Sequence, residues 1–196
     1  MALTRLTKWV APMNNKPLYI LVGKSASGKT SMANLLEKEY GLVQLQSYTT
    51  RPKRHENETG HTFILNAEFD KLVNLVAYTE YNGHRYGATK EQVDAIDIYV
   101  LDVPGVETLL KQYNTDRPIT VFYFDTTVHT RINRMIERGD HDGAIISRLL
   151  EDEKDNWWQQ LEDIVANEEK ENIKLYIINA NRDIDAVLKS VLWYID

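Results

Sequence analysis

Cysteine is missing from all 196 residues, which excludes a disulfide framework and any zinc site built on thiolates. Also missing is an apolar run near the ~20 residues needed to span a bilayer. The first residues lack the apolar stretch of roughly 7–15 residues that marks a secretory leader. Basic charge is in deficit, with 23 Lys and Arg against 29 Asp and Glu and a formal net charge of −6. A protein that holds many nucleic-acid phosphates needs the opposite balance. We therefore expect a soluble, cytoplasmic protein with no membrane and no nucleic-acid partner. The five histidines show no metal-ligand spacing, and no nucleophile–base arrangement is visible. Oligomeric state is not legible.

What is present is enough for one core: 43% of the residues are hydrophobic, and the length suits a single domain with subregions. Residues 1–16 have weak periodicity and end in a turn-like Asn-Asn-Lys-Pro cluster, so they read as an N-terminal extension packed on the domain. "LYILVG" reads as a buried strand and "GKTSMANLLEKEYG" as a helix closing at Gly41. "LVQLQ" follows as a short strand. "GHTFIL", "LVAYTEY" and "HRYGAT" are short, partly alternating runs that suit a small, mainly antiparallel sheet. "AIDIYVLDV", "ITVFYFD" and "IKLYIIN" read as further buried strands, separated by the helical patterns "PGVETLLKQY", "VHTRINRMIERG" and one long "DGAIISRLLEDEKDNWWQQLEDIVANEE". "RDIDAVLKSVLWYI" closes the chain. Strands alternating with helices imply a parallel sheet covered on both faces.

Between the first strand and the first helix stands "GKSASGKT", which satisfies G-x-x-x-x-G-K-[ST] in the strand–loop–helix context that the pattern requires. Each part has a physical task. Across Gly23, Lys24, Ser25, Ala26, Ser27 and Gly28 the backbone N–H groups converge on phosphate oxygens, and the helix N-terminus adds partial positive charge. Lys29 reaches the β- and γ-phosphates, and the Thr30 hydroxyl is offered to Mg²⁺. ATP and Mg²⁺ are the ligands this implies, although a phosphate loop alone serves many reactions.

The acceptor has to be read elsewhere. In "SYTTRPKR" two arginines, Arg51 and Arg54, stand three apart around a proline, a fork suited to a second phosphate because guanidinium binds phosphate oxygens bidentately. With "YNGHRYGAT", "YVLDVPGV", "INRMIERGD...ISRLL" and "YIINAN" following in order, the chain resembles the guanylate kinase family from Leu18 to about Ile195. The resemblance implies a P-loop NTPase-type α/β fold of three layers, with a central parallel sheet, a helical lid and a small, mainly antiparallel insertion for the nucleoside monophosphate. Its parts would be a core at 17–46, 95–128 and 173–196, a monophosphate-binding region at 47–90 and a lid at 129–150, all within one domain.

The activity it implies is transfer of the ATP γ-phosphoryl group to GMP or dGMP. It puts Ser47, Arg51, Arg54 and Tyr86 around the acceptor, and Asp102 near the acceptor or the Mg²⁺ shell. It puts Arg134 and Arg138 over the donor phosphates, Arg148 between donor and acceptor, and Asn179 at the donor base. Trp157 and Trp158 point about 100° apart on a helix, so at least one belongs to the core, and neither is expected to touch a ligand.

Two departures fall on base recognition. The family's base-reading glutamate becomes Ala77, and the serine or threonine after the second glycine of "NGHRYGA" becomes Ala88. Phe63 replaces a tyrosine that would reach the acceptor phosphate. Glu80 substitutes for the glutamate only if a bulge shifts the strand. Two alternatives therefore stand beside GMP: the same chemistry on another or modified monophosphate or phosphate ester, and a guanylate kinase-like module that binds a phosphopeptide.

Overall fold

The computed structural model describes residues 16–53, 56, 58, 60–81, 83–168 and 170–195. Most of the expected N-terminal extension, and Arg54, lie outside these residues. Element order among them is β1 (Leu18–Val22), α1 (Lys29–Tyr40), β2 (Ser47–Thr49), β3 (His61–Phe63), α2 (Asn66–Phe69), β4 (Leu75–Tyr81), β5 (His84–Thr89) and α3 (Lys90–Asp94). It continues through β6 (Ile98–Leu101), α4 (Val103–Gln112), β7 (Ile119–Asp125), α5 (Val128–Glu137), α6 (Asp142–Asp152), α7 (Trp157–Asn167), β8 (Ile173–Asn179) and α8 (Ile184–Leu192).

The central sheet has the order β6-β1-β7-β8, and every pairing is parallel. Strand β1 is buried along its whole length because alternate residues serve different faces. Leu18, Ile20 and Val22 pack in one core with Val106, Leu109 and Leu161. Tyr19 and Leu21 join Met32, Leu36, Val187 and Val191 in a second. Helices α4 and α7 thus cover one face and α1 and α8 the other, which gives the expected three layers. Helix α1 ends where Gly41 takes φ 68°, its N–H bonding the Glu37 carbonyl at 3.0 Å, a left-handed stop that glycine adopts without a Cβ penalty.

Two expectations need correction. "LVQLQ" is not a full strand but a single bridge, Gln44 to Ile98, because the Val43 N–H is taken by the Asp97 carboxylate at 2.9 Å rather than by a ladder. The long acidic helix is broken into α6 and α7, since the Asn156 side chain accepts from Gln159 N–H and caps a new start. Trp157 and Trp158 both pack against the core, with Trp158 against Tyr123 at 5.7 Å.

The second sheet runs β3-β2-β5-β4. β2 and β3 are parallel and the other pairings antiparallel, as the alternating short runs predict. Its register places Ser47 beside His61, Thr49 beside Phe63 and Tyr86, and Ala77 beside Ala88. Those side chains share one face, with Thr79 and Tyr81 by alternation.

Candidate active site

The loop between β1 and α1 is shaped by its backbone. Gly28 has φ 101° and Ala26 φ 59°. A Cβ on Gly23 would stand 2.9 Å from the Phe124 carbonyl and 2.8 Å from Ser27 Oγ, so no larger residue fits where the loop leaves the sheet. Lys29 turns its ammonium back over the loop, donating to the Gly23 carbonyl, the Lys24 carbonyl at 3.0 Å and Ser27 Oγ at 3.4 Å. Burial pushes that ammonium down to about 8, against the offsetting charges of Asp152 and Asp102. The lysine is thereby held over the cradle by the loop that it would help to fill.

A cavity of about 590 Å³ opens over this loop, lined by Ala26 to Met32, Phe124, Arg134, Arg138 and, on the α8 side, Arg182 and Ile184. Thr30 is exposed at its rim. Arg134 reaches across from α5 and donates to the carbonyls of Ala26 at 3.3 Å, Ser27 at 3.1 Å and Ala180 at 2.7 Å. It ties α5 to the loop and to the end of β8. Asn179 is placed differently from the other expected donor residues: its Oδ1 accepts the Asn181 N–H at 3.1 Å, shaping the turn after β8. The side chains nearer the cavity there are Arg182 and Asp183, which the sequence motifs do not single out.

A second cavity, of about 290 Å³, lies on the other side of the loop and is lined by Lys29, Arg51, His61, Tyr81, Tyr86, Asp102, Arg138, Arg148 and Trp157 among others. It runs into a recess of about 80 Å³ bounded by Ser47, His61, Ala77, Thr79, Tyr86 and Tyr99. The structure therefore brings together Ser47, Arg51, Tyr86, Asp102, Arg138 and Arg148 from five separate segments. Arg51 forks onto Glu58, with nitrogens at 2.8 and 3.2 Å from the two carboxylate oxygens, and lies 5.3 Å over the Phe63 ring. Arg138 and Arg148 converge on the Asp140 carboxylate, each with a nitrogen at 2.5 Å. Asp102 caps α4 through the Gly105 N–H at 2.8 Å, and burial pushes its carboxyl up against the hydrogen bonds that pull it down.

His61, Thr79 and Tyr99 were not legible as site residues. His61 Nδ1 lies 2.9 Å from Ser47 Oγ, and its ring meets Tyr86 edge-on at 5.7 Å. Only the pairing of β3 with β2 brings it there; its place two residues before Phe63 was the available signal. Trp157 lines the second cavity as well as packing on the core. The β4 bulge lies between Leu75 and Ala77 and leaves Glu80 exposed and bonded to the Tyr78 hydroxyl, so Glu80 does not replace the missing glutamate.

The model of the guanylate kinase family, "Guanylate kinase", matches residues 15–175. The chain belongs to the guanylate kinase family. Membership makes it a phosphotransferase. Among curated relatives, the guanylate kinase of Agrobacterium fabrum is 26% identical over 184 residues, covering 82% of each chain. That of Legionella pneumophila strain Paris is 26% identical over 186 residues, covering 86% of this chain and 88% of its own. The crystal structure of guanylate kinase from Anaplasma phagocytophilum superposes with a TM-score of 0.53 at 15% identity, over 93% of this chain and 87% of that one, a likeness of fold. Among the described residues no group of three or more His, Cys, Asp or Glu is placed to hold a metal ion, and no helix is long and apolar enough to cross a membrane.

Proposed function

We propose that the chain transfers the γ-phosphoryl group of ATP to a nucleoside monophosphate, with GMP or dGMP as the lead acceptor. The observation that carries this reading is that the two cavities meet: Ala26, Lys29 and Arg138 line both. A donor phosphate on the loop and an acceptor phosphate at Arg51 would then face each other across one lysine and one lid arginine. Phosphoryl transfer asks for little else, being mainly positioning and charge neutralisation in a water-poor site.

In this reading residues 47–90 form the acceptor region, 129–150 the lid, and 17–46, 95–128 and 173–196 the core. Ser25 to Thr30 cradle the donor phosphates. Arg51 and Arg54 hold the acceptor phosphate, and Ser47, Tyr86 and Asp102 orient the acceptor. An acceptor-phosphate oxygen attacks the γ-phosphorus, the bond to the β-phosphate oxygen breaks, and ADP leaves. Lys29, Arg138 and Arg148 neutralise the charge that spreads over the transferred group, and Arg134 keeps the lid's base on the loop. Asn179 supports the donor-base end through its turn. Mg²⁺ fits this donor set: with the Thr30 hydroxyl as its protein contact it would be held mostly by phosphates and water, as this ion prefers, and it would neutralise phosphate charge. A soluble, cytoplasmic protein with nucleotides as its partners accords with this chemistry.

A second reading keeps the reaction and changes the acceptor base. It is favoured by Ala77, which lines the recess, and its buried cross-strand partner Ala88, neither of which offers a purine edge a hydrogen bond. The phosphopeptide-binding module is disfavoured by the complete loop and the lysine folded over it. A coupled assay with ATP, Mg²⁺ and a panel of ribo- and deoxynucleoside monophosphates tests all three: turnover of GMP or dGMP is expected, turnover of a different monophosphate alone would replace the acceptor, and no turnover with any would sink the enzymatic reading.

A further inference from the structure

On the lid side of the phosphate loop stands a charge cluster to which the assigned residues give no role. Arg131, on α5, is completely buried. One of its terminal nitrogens donates to Asp152 Oδ2 at 2.7 Å and the other to Glu153. Asp152, itself only 2% exposed, closes α6 and touches the loop directly, accepting the Ser25 N–H at 2.8 Å and the Ser25 hydroxyl at 3.3 Å. Lys24 joins Glu153 at 3.0 Å. Within these direct ion pairs two cations face two anions and the formal sum is zero, while the Lys29 ammonium over the loop also lies in the field of Asp152.

This arrangement is costly unless it is balanced. An unpaired carboxylate bonded to a phosphate-loop N–H would repel the polyphosphate bound by its neighbours, and a buried charge without its partner is expensive in itself. Lys24 is the weaker compensator, because the Glu153 side chain it meets is 45% exposed and screened by water. Arg131 has no such exposure, and its planar fork fixes both carboxylates.

We propose that Arg131 is a positioning residue for donor binding: by neutralising Asp152 and seating its carboxylate on Ser25, it lets an acidic helix end pack against a loop that must hold ATP. The inference rests on the reading of residues 23–30 as the donor loop. It makes the two partners opposite in effect, although both belong to one ion pair. Loss of Arg131 leaves negative charge against the donor phosphates, whereas loss of Asp152 leaves positive charge there.

The test is calorimetric titration of the purified full chain with ATP and Mg²⁺, and separately with GMP, alongside thermal melting. Arg131→Leu is expected to raise the ATP Kd at least ~10-fold while the GMP Kd stays within about twofold, the size seen when one member of a buried charge pair is removed. Arg131→Lys, which keeps the charge, and the double variant Arg131→Leu/Asp152→Ala, which removes both, are expected within about threefold of the wild type. Asp152→Ala alone should leave the ATP Kd unchanged or lower it. A folded Arg131→Leu with unchanged ATP affinity, or a double variant no better than Arg131→Leu, overturns the proposal. Should Arg131→Leu not fold, weaker ATP binding in Asp152→Ala overturns it, and unchanged or tighter binding supports it. A wild type that binds no ATP would instead defeat the reading of the donor loop.

Discussion

The two proposed anion sites of this chain are built in contrasting ways. The donor cradle would come from one continuous stretch, Gly23 to Thr30, defined by backbone shape: Gly23 where a Cβ has no room, Gly28 at φ 101°, and one lysine folded over the top. The acceptor site comes from side chains on β2, β3, β4, β5 and the end of β6, together with lid arginines. A site made of backbone tolerates little change, because every residue's conformation depends on its neighbours. A site made of separate side chains changes one contact at a time. The donor loop is complete, whereas the acceptor face keeps its phosphate-directed Arg51 and carries Ala77 and Ala88 where the base would lie. Phosphate handling and base reading are thus separable in this fold.

The most damaging way to break the comparison is on the donor side. Lys29→Ala is expected to lower kcat at least ~10²-fold in the coupled assay, by loss of a preorganised cation at the site of charge development. On the acceptor side, Arg51→Ala should act on one substrate only. The KM for the monophosphate is expected to rise ~10–100-fold, the worth of a charge-assisted hydrogen-bonded pair, with the KM for ATP unchanged. If both KM values rise together, the two sites are not separate.

A smaller effect is expected from pH. The Lys29 ammonium, held near 8 by burial, is charged below that pH and neutral above it. ATP affinity of the free protein should therefore be nearly full at pH 7 and fall, by up to about 30-fold, as pH rises through 8 to 9.5. The fall arises because bound phosphate stabilises the charged form, so that above pH 8 binding must first take up a proton. Titration calorimetry in matched buffers reads it, and Arg51→Ala should show the same profile. The smallest effect sharpens base reading. Ala77→Glu places a carboxylate on the recess wall and should raise the preference for GMP over AMP in kcat/KM about tenfold, since a hydrogen-bonding site rejects a ligand that leaves its groups unpaired.

Sequence and structure divide along the same line. The loop, its strand and its helix were legible because the chemistry is contiguous and its punctuation is glycine. The covered parallel sheet was legible from apolar runs, whereas the alternation of β1 between two cores emerges only from packing. What escaped depended on pairing across the chain. His61 is one histidine among five until β3 aligns it with Ser47, and Thr79 is a strand residue until β4 turns it inward. Arg131 and Asp152 belong to no motif and lie on helices where charged residues are usually solvated; only packing buries them together. The single long helix failed for a local reason, an asparagine cap inside an acidic run. Asn179 stands at the expected strand end, but its side chain spends its oxygen on the turn that follows.

The central claim is that two phosphate sites face each other across Lys29 and Arg138, which line both cavities. Titration with adenosine and guanosine joined through five phosphates tests it most directly. The account predicts one molecule bound per chain, competitive with both ATP and GMP, and at least ~10²-fold tighter than either alone, because the second contact becomes intramolecular. Binding no tighter than ATP, with GMP still able to bind alongside it, would contradict it.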